Sequence, residues 1–371
     1  VLGGALTNRV VVDKPIRVVA VNGPAGTVIE GAGPSGDAAV RGVYLGTNAV
    51  LSGFTVRNGA TRMAGDVALE QSGGGIWCEP GVIISNGVVE SCAANAFGGG
   101  VFGGRLVNSF LNANTAAQGG GLAFGEIEFG TVAGNSAVDG GGAYGSTGRY
   151  SIVYFNTASG AGPNLQGGTW DTCCTIPDPG GSGHITNDPA LLAVNDYRLA
   201  PGSPCIDALP VGPGLPDGDL DGTPRPLDGD ANGSARFDLG ADEHIHATAD
   251  SDGEGLSDGE EINIYRTNPL LPDTDGEGQS HRVEVIAGMD PLDPASFFAI
   301  LNLAVETGSQ AFTWPGRSGR LYTVIATANP AGAWSNRVDC TDRPGVNGVM
   351  SFTNDLPGGT NVFGVRVRLA P

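Results

Sequence analysis

The stretch Arg105-Leu106-Val107-Asn108-Ser109-Phe110-Leu111-Asn112 alternates apolar and polar side chains, and so does Gly125-Glu126-Ile127-Glu128-Phe129-Gly130-Thr131-Val132. A period of two predicts β-strands rather than helices, because successive side chains of a strand point to opposite faces. The pattern keeps a fixed beat. Three glycines in a row stand at 73–75, 98–100, 119–121 and 140–142, in steps of 25, 21 and 21 residues. Asn95, Asn114, Asn135 and Asn156 follow in steps of 19, 21 and 21, and Asn58-Gly59-Ala60 reads as an earlier copy. Such a period predicts one supersecondary unit stacked on itself, each coil of a parallel β-helix taking ~21 residues. Coils ~4.8 Å apart exchange backbone hydrogen bonds and send the same column of side chains inward. Leu111, Val132 and Val153 fall in one such column, Leu106 and Ile127 in another. The glycines suit corners with positive φ, and the asparagines suit a ladder at a turn, each amide bonded to the copies above and below. A flexible glycine-rich linker would not keep register with a buried column.

Residues 296–371 read differently. Short strand-like runs occupy 297–305, 310–314, 321–327, 349–353 and 362–369, with turn signals at Pro315-Gly316 and Pro357-Gly358-Gly359. The spacing predicts a small β-sandwich of immunoglobulin or fibronectin type III kind, with Trp314, Tyr322 and Trp334 in its core. A sugar-binding aromatic platform is the sharper reading of those rings. The expected organisation is all-β: a β-helix over 1–208, an acidic connector over 209–295 and the sandwich over 296–371.

Composition bounds the partners. Glycine supplies 63 of 371 residues, aromatics 6%, and Lys14 is the sole lysine. A formal charge of −20 argues against nucleic acid and anionic membrane surfaces as partners. No run of eighteen apolar residues predicts a membrane-spanning segment. A chain opening at Val1 without methionine suggests a removed leader, or the ordered part of a longer protein. An oxidising compartment would allow disulfides Cys78–Cys92 and Cys173 or Cys174 to Cys205; the alternative is buried free thiols. Cys340 has no obvious partner.

The charge is concentrated. Residues 217–293 hold 20 of the 39 acids and four arginines, which is −16 of the −20. Such a density is either a solvated disordered linker or a set of cation sites, and spacing separates the two. Asp250, Asp252 and Glu254 stand at positions 1, 3 and 5 of a loop, with Gly255 at 6, Asp258 at 9 and Glu261 at 12. Asp273, Asp275 and Glu277 repeat this 23 residues later, with Gly278 at 6, His281 at 9 and Glu284 at 12. Ca2+ takes six to eight oxygens at ~2.3 to 2.6 Å, and a glycine turn lets alternate carboxylates converge on it. Glutamate at position 5 is a methylene longer than the usual aspartate, and imidazole is a poor calcium ligand, so the second loop is expected to be the weaker site.

The coils resemble right-handed parallel β-helix proteins of the pectin-lyase-like superfamily, in its secreted bacterial branch. Asp196-Tyr197-Arg198-Leu199 to Cys205-Ile206-Asp207, and Asp219-Leu220-Asp221-Gly222-Thr223-Pro224-Arg225 to Asp238-Leu239-Gly240-Ala241-Asp242-Glu243, resemble the ends of such helices. Residues 250–293 are similar to thrombospondin type 3 calcium repeats, including the Asn268-Pro269 and Asp290-Pro291 echoes. The resemblance implies secretion and a calcium-stiffened spacer, and it assigns no chemistry.

Acid–base chemistry finds little footing. Glu126 and Glu128 share a strand face, but two exposed glutamates on a solvated face explain them, and Arg105 falls one coil from Glu126 as an ion-pair partner. His184 lacks the aspartate pairs of polygalacturonase-like enzymes, and His244 and His246 alternate beside the acidic segment as surface residues. The sequence therefore points to a non-enzymatic structural or adhesive protein, secreted or at the cell surface. Head-to-tail self-association into a filament is expected if a neighbouring copy covers the first coil. The alternatives are a lyase or glycoside hydrolase acting on acidic polysaccharide, and a carbohydrate-binding module for a polysaccharide or cell-surface ligand.

Overall fold

The computed structural model describes residues 4–212, 214–306, 309–327, 331, 333, 335–337, 340–354 and 362–371. The chain divides into two units, Val1–Ser251 and Asp252–Pro371. The molecule is all-β, with long sheets of parallel strands in the first unit and antiparallel sheets near the C-terminus.

In the first unit the alternating stretches are strands, and each pairs in parallel with the stretch one repeat on. One sheet runs through Thr7–Val12, Val40–Leu45, Ile76–Cys78, Val101–Phe102, Leu122–Ala123, Ala143–Tyr144 and Leu165–Gln166. A second sheet of twelve strands includes Arg105–Asn112, and a third joins Thr115–Gln118, Ser136–Asp139 and Thr157–Ala158. The register sets Leu106 beside Ile127, and Leu111 beside Val132, which in turn meets Val153. All five are fully buried in one apolar cluster. The glycine triplets divide their work. Gly98, Gly119 and Gly140 hold φ of +60°, +67° and +64° at the corner. The middle glycine permits close approach: a Cβ on Gly120 would stand 2.5 Å from the carbonyl oxygen of Gly141.

The asparagine ladder is present, fully internal and hydrogen-bonded. Asn135 Oδ1 accepts from both the backbone and the side-chain nitrogen of Asn114 at 2.9 Å, and Asn156 Oδ1 accepts from both nitrogens of Asn135 at 3.0 Å. Asn164 closes the ladder above Asn156. Asn95 is not a rung. Cys92 holds that place, donating its backbone N–H to Asn114 Oδ1 at 2.9 Å, while Asn95 bonds Gln71 and Thr61. Asn95 stands three residues before its glycine triplet, whereas Asn114 and Asn135 stand five before theirs.

Residues 205–243 pack onto the repeats. Cys205, Leu209, Phe237 and Leu239 join Phe129, Ile152 and Cys174 in a second cluster, and the Ala241 N–H donates to Thr131 Oγ1 at 3.1 Å. All six cysteines are buried free thiols, so neither expected disulfide is formed. Cys78 ends a strand of the first sheet, whereas Cys92 Sγ lies against the Val56 and Glu90 carbonyls at a different turn. Burial pushes the thiols of Cys92 and Cys173 up to about 12, as expected of small hydrophobes.

The second unit carries two antiparallel sheets. Asn302–Glu306, Ser309–Gly316 and Gly348–Asn354 form one; Arg320–Thr327 pairs with Ser335–Asn336, Arg343–Pro344 and Val362–Leu369 in the other. Phe312, Trp314, Met350 and Phe352 of the first and Tyr322 and Val324 of the second share one core. Pro315-Gly316 is not a turn but continues a strand, Pro315 opposite Val349. Proline is tolerated there because the pairing with Asn302–Glu306 has ended at Thr313, leaving that edge of the strand open. Trp334 and Pro357-Gly358-Gly359 lie outside the described residues.

Candidate metal sites

Each acidic loop runs into a short helical segment that begins after a serine. Ser257 caps Asp258–Glu260: its hydroxyl accepts the Glu260 N–H, and the Glu260 side chain reaches back to the Ser257 N–H. The chain continues into the wide turn Glu261–Tyr265. In the second loop Ser280 precedes the helix His281–Ala287, which carries Glu284. Gly255 and Gly278, both at position 6, hold φ of +103° and +100°, a conformation that side chains rarely adopt.

In the second loop Asp273, Asp275 and Glu277 each bring a carboxylate oxygen within 4.8 Å of the others. Asp273 accepts from the Gly276 and Gly278 N–H groups at 2.8 and 2.7 Å, which fixes the turn. Glu284 is 0% exposed, and neither of its oxygens has a hydrogen-bond partner. Burial first, then the charges of Glu277, Asp275, Asp273 and Asp290, push its carboxyl up to about 8. Asp290 is an acid that the twelve-residue spacing does not reach.

The first loop has the same construction with an added brace. Asp252, Glu261 and His281 bring ligand-type atoms within 4.8 Å of one another. His281 Nε2 accepts the Thr274 N–H at 2.8 Å, so Nδ1 carries the ring proton and faces Glu261 Oε1 at 2.9 Å. Burial holds the imidazole below its usual range, in keeping with a neutral ring. Both nitrogens are thereby engaged, and His281 orients a carboxylate instead of ligating. Spacing assigned His281 to the second loop; the fold turns its ring toward the position-12 glutamate of the first. Glu261 also accepts from Thr267 Oγ1 at 3.1 Å, while its Oε2 is buried with no hydrogen-bond partner. Burial, then Asp252, Glu254 and Asp258, push it up to about 8. Glu254 is occupied by backbone donors, the N–H groups of Leu256 and Arg282, both at 2.7 Å. Asp258 is fully buried, and Asp250 belongs to the last residues of the first unit.

The donor set is all oxygen, carboxylate-rich and bent around glycine, which suits a hard divalent cation. The buried oxygens of Glu261 and Glu284 supply the test of fit. A buried carboxylate oxygen lacking a donor, among others of its own sign, is relieved by a proton or by a cation.

The other chemical candidates are placed elsewhere. Glu128 is not on a solvated face: it is 3% exposed, with Arg105 at 2.5 Å and Arg149 at 2.7 Å. Arg105 also reaches Glu126, at 3.6 Å. His184 Nδ1 accepts the Cys173 N–H, and the His244 backbone N–H donates to Asp238 Oδ2. Trp314 and Tyr322 are fully buried and offer no face to a sugar.

No helix among the described residues is long and apolar enough to cross a membrane. Among curated proteins, none matches the chain. The family model described as bacterial TSP3 repeat matches residues 250–272, the first loop and the turn that follows it; such repeats are generally calcium-binding and are typical of extracellular proteins.

Proposed function

We propose that this is a calcium-stabilised structural or adhesive protein, secreted or displayed at the cell surface, rather than an enzyme. In this reading residues 1–208 form a right-handed parallel β-helix of the pectin-lyase-like kind, on which 209–251 pack. The acidic loops then bind Ca2+ and stiffen the connector as far as residue 295, and 296–371 form a β-sandwich. Asp252, Asp258 and Glu261 hold one ion, with Asp250 and Glu254 joining by the spacing of the sequence. Asp273, Asp275, Glu277 and Glu284 hold the other. The ions' chemistry is structural: each cancels the repulsion of bunched carboxylates and fixes the loop to its helix.

The observation that carries the reading is the pair of buried glutamates, Glu261 and Glu284, at position 12 of two loops built alike, with oxygens that no donor satisfies. Glu128 supports a structural use of that strand face, since its two oxygens are taken up by Arg105 and Arg149. Calorimetry on the full chain tests it. Calcium uptake with a rise in thermal stability is expected, Asp250→Ala removing the stronger site and Asp273→Ala the weaker. Absence of uptake would dispose of the calcium reading, and a soluble monomer at high protein concentration with calcium would dispose of the filament form of it.

A further inference from the structure

The first unit holds a third acidic cluster, built from carboxylates outside the two loops. Asp207, Asp228 and Asp230 each bring a carboxylate oxygen within 4.8 Å of the others. Asp228, Asp230, Asn232 and Gly233 stand at positions 1, 3, 5 and 6 of a loop, the spacing of the two loops above, and Asp228 precedes Asp250 by 22 residues. The backbone is wound accordingly. Asp228 Oδ1 accepts the Asn232 N–H at 3.0 Å, its Oδ2 accepts the Gly233 N–H at 2.7 Å, and Gly233 holds φ of +86°. Leu239 stands at position 12, so the loop has no glutamate of its own there.

Asp207 supplies the missing carboxylate from a distant segment. It is 8% exposed, and its Oδ2 accepts the Asp230 N–H at 2.9 Å, which seats it on the loop. Its Oδ1 is buried with no hydrogen-bond partner. Burial, then Asp230 and Asp228, push this carboxyl up to about 6. The nearby Arg236 does not neutralise it, because its Nε donates to the Asp207 backbone carbonyl at 2.7 Å. An unsatisfied buried oxygen in a trio of like charges, on a glycine-turned loop, is the arrangement that a cation resolves.

The geometry points to a third calcium site, formed by Asp207, Asp228 and Asp230 with the Asn232 side-chain oxygen, which ties the 228–233 loop to the segment following Cys205. Its carboxylates lie within the first unit and are distinct from those of the two loops, and the Asp228 N–H donates to Ser251 Oγ at 3.1 Å.

Calcium titration of the full chain with a Glu261→Ala, Glu284→Ala background, in which the two loops are disabled, isolates the site. One equivalent of calcium is expected to bind, and Asp228→Asn added to that background to abolish it. Backbone hydrogen exchange gives the second readout in the unmodified chain. At calcium 100 times Kd, amides 228–233 are expected to slow about 100-fold where opening releases the ion, and to be unaffected in Asp230→Asn. Asp230 is exposed, so that variant keeps the fold if Asp228→Asn does not. No calcium uptake in the background chain, or equal exchange of 228–233 with and without calcium, overturns the site.

Discussion

The asparagine ladder and the acidic loops both bury polar side chains, and they satisfy them in opposite ways. In the repeats, the inner rungs find their partners in neighbouring copies: Asn135 donates to Leu111 O and Asn156 Oδ1 and accepts from Asn114. An amide has donors and acceptors on one group, so a stack of identical residues is self-sufficient. Ionised carboxylates only accept. Stacking or bunching them adds repulsion without adding donors, and Glu261 and Glu284 are accordingly buried with unsatisfied oxygens. One region satisfies its polar groups by repetition; the other leaves buried acceptor oxygens without donors.

The sharpest way to break the first side of that comparison is a charge in the apolar column. Val132→Asp places a carboxylate between Leu111 and Val153, where no donor repeats, and a loss of about 4 kcal/mol or more is expected in denaturant melts. Asn135→Ala is next. It strips partners from the Asn114 backbone and side-chain nitrogens, for an expected loss of about 3 kcal/mol. On the other side, chelation is expected to lower the stability of the second unit by about 2.7 kcal/mol per site for calcium initially at 100 times Kd, read by calorimetry. His281→Leu removes the Nδ1 partner of Glu261 while keeping bulk, and about a tenfold weaker first loop is expected in calcium titration. The smallest effect is Arg105→Ala, about 1 kcal/mol or less, because the guanidinium is 39% exposed and Arg149 still covers Glu128.

The repeats were legible because their cause is local and periodic. Glycine at a corner, a branched residue inside and asparagine at the turn each answer to the same neighbour one period away, so the sequence alone placed Leu111 beside Val132. Where the period changes, the reading slips: Asn95 keeps the motif but loses the rung to Cys92, which spacing gave no reason to choose. The metal loops were legible as spacings, since alternate carboxylates around a glycine have a defined geometry. Their supports were not. His281 braces the first loop across 20 residues, and Asp207 joins a loop 21 residues away, contacts that only the folded chain brings together. The burial of Glu128 was likewise invisible, because two arginines from neighbouring strands cover what strand alternation marks as exposed.

Hydrogen exchange across the whole chain, with calcium and then with chelator, tests the central contrast in one experiment. The account requires amides of 252–290 to be protected with calcium and to exchange rapidly without it, while those of 105–158, held by the asparagine ladder and the parallel strands, stay unchanged. Protection of 252–290 that survives chelation would contradict it.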